Sequence, residues 1–143
     1  GWTIATGSIS VEPIILFLII FLWTPSHFWA LSLYKSSDYK KAKIPMLPII
    51  SGTKTTKVNI LFYALIMLPA IIAPYFLNFA SVFYLVASSI MSAYYIYLCL
   101  RLYRSKIASI SNKIARKIFI YSIFYLFFIF LILLIDNFLK IIL

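Results

Sequence analysis

Charge is scarce in this sequence, and negative charge is the scarcest. Glu12, Asp38 and Asp136 are the only acids in 143 residues, and 11% of the chain is charged, against about 25% in typical soluble domains. Together with a hydrophobic content of 64%, that shortage excludes a water-soluble globule. The single cysteine, Cys99, excludes an intrachain disulfide framework and a cysteine-cluster metal site. One histidine and three acids leave any metal site built from this chain alone poorly supplied. The net charge of +10 does not point to nucleic acid, because the lysines and arginines interrupt long apolar runs. The opening Gly1-Trp2 lacks Met, a basic n-region and a short apolar core with a cleavage site, so no secretory signal starts the chain. An N-terminus made by processing or truncation is expected.

Long uncharged stretches are what the sequence does contain. A bilayer core of about 30 Å needs roughly 20 apolar residues in helical form. Pro13 to Leu33 supplies 21 without a charge. Val58 to Leu100 is uncharged for 43 residues, about 64 Å as one helix and too long for one crossing. Pro74 and Asn78 near its middle predict a break, giving spans at 58–77 and 79–100. Residues 118–135 make a fourth span of 18. Only helices satisfy the backbone over such runs, so the fold class is an all-α membrane protein with four transmembrane helices, and residues 1–143 belong to one membrane domain.

The basic residues orient these spans. Lys35, Lys40, Lys41, Lys43, Lys54 and Lys57 fall in the first long loop, 34–57, and Arg101, Arg104, Lys106, Lys113, Arg116 and Lys117 in the second, 101–117. Lys140 alone is left for the other side. The positive-inside rule makes both loops cytoplasmic and puts both chain ends outside, which suits a piece preceded by an odd number of helices. The apolar stripe Tyr103, Ile107, Ile110, Ile114 and Ile118 predicts an interfacial amphipathic helix over 101–117. Ser88, Ser89, Ser92 and Ala93 have small-residue spacing for close helix packing, and Asp136-Asn137 is expected to end the fourth span at the outer interface.

Chemistry concentrates in the first span. Trp23-Thr24-Pro25-Ser26-His27-Phe28-Trp29 puts an imidazole and hydroxyls inside an apolar run, with a kink expected one turn before Pro25. A histidine in a span is either a hydrogen-bonded packing residue between helices or a functional one. His27, Leu31, Tyr34 and Asp38 follow i, i+4, i+7, i+11, and Trp23 lies one turn below. If the helix runs on past Leu33, Asp38 stands about 16 Å nearer the cytoplasm than His27 on the same face. The lysines around Asp38 are also explained by attraction to anionic headgroups.

The order of residues then carries a resemblance. Gly1-Trp2, Thr6-Gly7, Glu12-Pro13, Trp23-Thr24-Pro25-x-His27-Phe28-Trp29-Ala30-Leu31 and Asp38-Tyr39-x-x-Ala42-x-Ile44-Pro45-Met46-Leu47-Pro48 closely resemble the heme-directed farnesyltransferases among the UbiA-type intramembrane prenyltransferases. The match is dense over residues 1–52 and hydropathic beyond about residue 60. Two places depart from the family pattern: Ser26 stands where a second proline is usual, and Ser37 where a second Asp is common. A further acid four residues after Asp38, frequent in other UbiA-type enzymes, is replaced by Ala42.

The resemblance implies a bundle of about nine helices around a cavity, of which this chain is the C-terminal part, in the cell (inner) membrane. The missing N-terminal half of the same protein, with a first aspartate-rich loop, becomes its first partner. Farnesyl diphosphate and protoheme IX are the implied substrates, with heme a substrate and not a resident cofactor. Catalytic roles fall on Asp38 and His27, and Mg²⁺ bound through diphosphate on Asp38. Lys54 and Lys57 become diphosphate contacts, and Trp23 and Tyr34, with Phe28 and Trp29, an aromatic wall for an allylic cation. His27 either ligates heme iron or hydrogen-bonds a substrate. Other readings are a prenyltransferase acting on a quinone or another aromatic ring, and a non-enzymatic membrane subunit or transporter part.

Overall fold

A computed structural model describes the backbone of residues 1–142 and the side chains of all of these except Trp2, Thr3 and residues 140–142. Trp2 of the N-terminal motif and Lys140, the lone basic residue assigned to the far side, therefore have side chains outside the described residues. The helices are α1 (Trp2–Thr6), α2 (Val11–Tyr34), α3 (Ser36–Lys41), α4 (Leu47–Ile50), α5 (Gly52–Phe76), α6 (Val82–Arg104) and α7 (Ala108–Ile142), with no strand among the described residues. Four of them, α2, α5, α6 and α7, are long and apolar enough to cross a membrane. The protein is a multi-pass membrane protein.

These four close into a ring in which α2 packs on α5 and α7, and α6 packs on the same two. Large apolar side chains such as Phe17, Phe62, Phe83, Ile90, Phe127 and Leu134 point outward, as lipid-facing surfaces require. All basic residues with described side chains gather at one end of the ring, where α2 and α6 finish and α5 and α7 begin.

The break between α5 and α6 falls at residues 77–81. Pro74 stays inside α5, and the turn is made after it: Asn78 takes the left-handed conformation (φ 62°), and the Phe79 and Ala80 N–H groups return to the Pro74 carbonyl. Helix α5 begins at Gly52, so Lys54 and Lys57 lie on its first turns and not in an irregular loop.

Two expectations need correction. Residues 101–117 do not form a separate interfacial helix: α6 runs to Arg104, and after a three-residue turn α7 continues unbroken to Ile142. Ile114 and Ile118 belong to a buried stripe, Ser111, Ile114, Ile118, Ser122, Tyr125, Ile129, Leu133 and Asp136, that follows helical spacing along most of α7. A period of 3.6 is common to an interfacial helix and to the inner face of a longer spanning one, so spacing alone could not separate them. The second correction concerns the terminus expected at Asp136. The helix passes through it, and the carboxylate is buried, accepting the Ser81 backbone N–H at 2.6 Å and the Ser81 hydroxyl.

Candidate functional site at the junction of α2 and α7

Helix α2 continues through Pro25, and its Trp23–Trp29 segment meets α5, α6 and α7. Ser26 is fully buried and shares a hydrogen bond of 2.8 Å with the Tyr95 hydroxyl of α6. Tyr95 stacks on Tyr125 of α7 at 5.2 Å, and Tyr125 bonds Ser92 of α6 at 2.8 Å. Tyrosine and serine hydroxyls thus satisfy one another in the centre of the ring, where an unpaired polar atom would be costly. Ser88 and Ser92 lie on this inner face and Ser89 does not, so part of the small-residue run does serve packing.

His27 faces α7. Its Nδ1 lies 2.7 Å from Ser122 Oγ, and its ring is held between Trp23 (centroids 4.3 Å apart, planes 19° apart) and Phe119 (4.7 Å, 28°). Phe28 meets it edge-on at 5.5 Å. Trp23 is fixed in turn, its indole N–H donating to the Ser122 carbonyl at 2.9 Å. One residue of α7 therefore anchors both members of the i, i+4 pair. Nε2 of His27 has no hydrogen-bond partner among the described residues.

Trp23 also lines an apolar groove of about 650 Å³ between α2 and α7, with Ile20, Leu126, Phe130 and Leu134 among its walls. The other aromatics diverge: Trp29 packs edge-on against Tyr63 of α5 at 5.2 Å, and Tyr34 lies under the guanidinium of Arg116 at 5.7 Å.

Asp38 stands apart from this cluster. The expected continuous helix from His27 to Asp38 is interrupted, since α2 ends at Tyr34 and Lys35 (φ −102°, ψ 19°) separates it from α3. No side-chain hydrogen bond caps the start of α3. Asp38 is exposed and pairs with Lys35 at 3.3 Å. No three His, Cys, Asp or Glu side chains gather as a metal site among the described residues.

Lys54 and Lys57 border one hollow of about 560 Å³, together with Tyr103, Arg104 and Lys106. Their situations differ. Lys57 Nζ donates to the Ser105 carbonyl (2.8 Å), Ser105 Oγ (3.3 Å) and Ser111 Oγ (2.7 Å), which occupies all three ammonium protons and ties α5 to the α6–α7 turn. Lys54 is exposed. The Ser26 hydroxyl lies 3.4 Å from the Ile60 carbonyl, which puts Lys54, six residues earlier on α5, about 9 Å closer to the basic end than Ser26.

Sequence reasoning found His27 and Trp23 but not Ser122 or Phe119. Ser122 is one of several hydroxyls on the inward stripe of α7, beside Ser111 and Tyr125, and nothing along the chain pairs it with His27.

The chain is 60% identical over 137 residues to a protoheme IX farnesyltransferase of Pelagibacter ubique, a match covering 96% of this chain and 45% of the relative. It is 46% identical to that of Parvibaculum lavamentivorans (96% and 43% covered) and 43% identical to that of Nitrobacter hamburgensis (95% and 44%). The chain thus spans a little under half the length of the curated relatives it matches. No solved structure matches it. The model of the UbiA prenyltransferase family matches residues 1–123, which contain α2 with Trp23 and His27, α3 with Asp38, and Ser122 of α7, which bonds Trp23 and His27, and the chain belongs to that family.

Proposed function

We propose that the protein, at the length of its relatives, transfers a farnesyl group from farnesyl diphosphate to a vinyl group of protoheme IX, with water added, giving heme O and diphosphate. The observation that carries this reading is the 60% identity, across 96% of the chain, to a relative named for that activity.

The reaction needs three things from these residues. Loss of diphosphate develops negative charge, which fixed cations stabilise best when they are in place beforehand. Lys54, with Arg104 and Lys106 around the same hollow, is the proposed contact, while Lys57 holds the floor of that hollow in shape. The allylic cation left behind needs a dry wall with a negative face. Trp23, already stacked and hydrogen-bonded, is the aromatic proposed to meet it, and the apolar groove beside it suits the isoprenoid chain. Tyr34, under Arg116 nearer the basic end, is proposed to border the path between hollow and groove. The porphyrin is proposed to meet His27 through Nε2, the ring nitrogen not bonded to Ser122.

Mg²⁺ is the metal expected for diphosphate chemistry, commonly held through one or two carboxylates together with phosphate oxygens. The described residues do not fit such a site: Asp38 is a single exposed carboxylate paired with Lys35, and no second acid joins it. The role proposed for Asp38 is to enter the site together with groups from the rest of the protein. A cytoplasmic position for the basic end, and the cell inner membrane as location, belong to the same proposal.

The test is heme O formation from protoheme IX and farnesyl diphosphate by the intact protein in membranes, with His27→Ala and Asp38→Ala beside wild type. Product in the wild type and its loss in both variants support the reading. Full activity in both variants removes the site assignment, and prenylation of a quinone instead of heme overturns the substrate. A heme Soret shift in the wild type that disappears in His27→Ala would tie the imidazole to the porphyrin.

A further inference from the structure

We infer that Ser122 is a positioning residue that fixes the tautomer of His27, keeping the proton on Nδ1 and leaving the lone pair on Nε2 for substrate. The inference deepens the proposed function and rests on it only for the identity of what Nε2 meets.

Ser122 Oγ makes two short contacts, one of 2.7 Å to the Phe119 carbonyl one turn earlier on α7 and one of 2.7 Å to His27 Nδ1. A hydroxyl has one hydrogen. A carbonyl oxygen can only accept, so a contact of that length to Phe119 requires the Ser122 hydrogen to point there; otherwise two oxygen lone pairs face each other. Ser122 Oγ then has only lone pairs for His27, and the hydrogen in the second contact must come from Nδ1. A neutral imidazole protonated at Nδ1 carries its free lone pair at Nε2. That is the atom with no partner among the described residues.

The surroundings keep the ring from escaping this choice. Trp23 and Phe119 cover its two faces, and Trp23 is itself tied to the Ser122 carbonyl, so a ring flip that exchanged the nitrogens would have to separate the stack. The Ser122 side chain is fully buried, which removes water as a competing donor. Fixing a histidine tautomer through the hydrogen bond made by its other nitrogen is a general way to present a lone pair to a metal or to a transferable proton. Nε2 fixed in this way can accept a substrate proton or bind the heme iron, and it cannot donate.

The experiment uses the intact protein in lipid nanodiscs with ¹⁵N-labelled histidine, the His27 signals being assigned by their absence in His27→Gln. Wild type is expected to show a pyrrole-type Nδ1 and a pyridine-type Nε2. In Ser122→Ala both resonances should move toward the averaged values of mixed tautomers, and Ser122→Thr, which keeps the hydroxyl, should restore the wild-type pattern. Should Ser122→Ala fail to fold, Ser122→Cys, near in volume but a weak acceptor, takes its place with the same expected loss. A proton on Nε2 in the wild type, or an unchanged pattern in both Ser122→Ala and Ser122→Cys, overturns the inference. Tautomer shift and heme farnesylation are read separately: a shift in a protein that makes no heme O leaves the role of Ser122 standing and removes only the substrate.

Discussion

The Asp136 carboxylate accepts the backbone N–H of Ser81 at 2.6 Å, joining the last turns of α7 to the first residue before α6. Ser81 Oγ in turn accepts the Phe83 N–H at 3.2 Å, so serine and aspartate together cap α6. A negative group at a helix N-terminus meets both unsatisfied N–H groups and the positive end of the dipole, and here it is 5% exposed. Asp136→Ala removes a carboxylate acceptor from a half-buried donor, at a cost of about 1–3 kcal/mol. The unfolding midpoint in detergent should fall for Asp136→Ala and fall less for Asp136→Asn, which keeps an acceptor oxygen. Equal midpoints for Asp136→Ala and wild type would refute the cap.

Lys54 and Lys57 should separate in their effects although they stand three residues apart. Lys57 donates to two serine hydroxyls and the Ser105 carbonyl, so Lys57→Met leaves that carbonyl without its donor and should lower thermal stability by about 1–3 kcal/mol. Lys54 is exposed beside the same hollow, and Lys54→Met should leave the midpoint within about 0.5 kcal/mol of wild type. Its effect should appear in KM for farnesyl diphosphate, as a rise of several-fold that shrinks at high salt. A Lys57→Met protein of normal stability with a raised KM would reverse these roles.

Much of this architecture was legible beforehand because membrane helices announce themselves by length. The 43 uncharged residues from Val58 to Leu100 had to fold back, and Asn78 does supply the turn. Other features depend on contacts that no spacing encodes. His27 and Ser122 are 95 residues apart, and nothing along the chain says that the inward stripe of α7 meets the histidine face of α2. The reach of a helix is also poorly marked. Helix α2 ends at Tyr34 although the i, i+11 pattern to Asp38 fits a continuous helix, whereas Asp136 fails to end α7 because Ser81 satisfies it. A polar residue in an apolar run reads as a boundary until its partner is known.

The Ser26 and Tyr95 hydroxyls, 2.8 Å apart in the centre of the ring, should be energetically coupled. Hydrogen bonds between membrane helices average about 0.6 kcal/mol in double-mutant cycles and reach about 1.7 kcal/mol. A cycle of Ser26→Ala, Tyr95→Phe and the double variant should give a coupling inside that range. The upper half is expected, because Tyr95 is completely buried and stacked on Tyr125, leaving its hydroxyl few other partners. Strict additivity of the two substitutions would mean that each hydroxyl is satisfied elsewhere.

Trp23 offers the sharpest separation between packing and chemistry, because its two contacts can be removed one at a time. Trp23→Phe keeps an aromatic face against His27 but loses the indole N–H bond to the Ser122 carbonyl, a neutral hydrogen bond worth about 1 kcal/mol. Trp23→Leu loses the bond and the aromatic face together. If the indole only packs, both variants should lose stability, and the turnover of the protein that remains folded should match wild type. If it stabilises an allylic cation in a dry groove, the contact is worth about 2 kcal/mol, and Trp23→Leu should reduce kcat roughly 30-fold. Trp23→Phe should then lose about fivefold or less, since a phenyl face still carries the same sign of quadrupole. Measuring kcat at saturating farnesyl diphosphate on correctly folded protein keeps the stability loss out of the comparison. A Trp23→Leu variant that turns over as fast as wild type would leave the groove a packing feature and require another group to meet the cation.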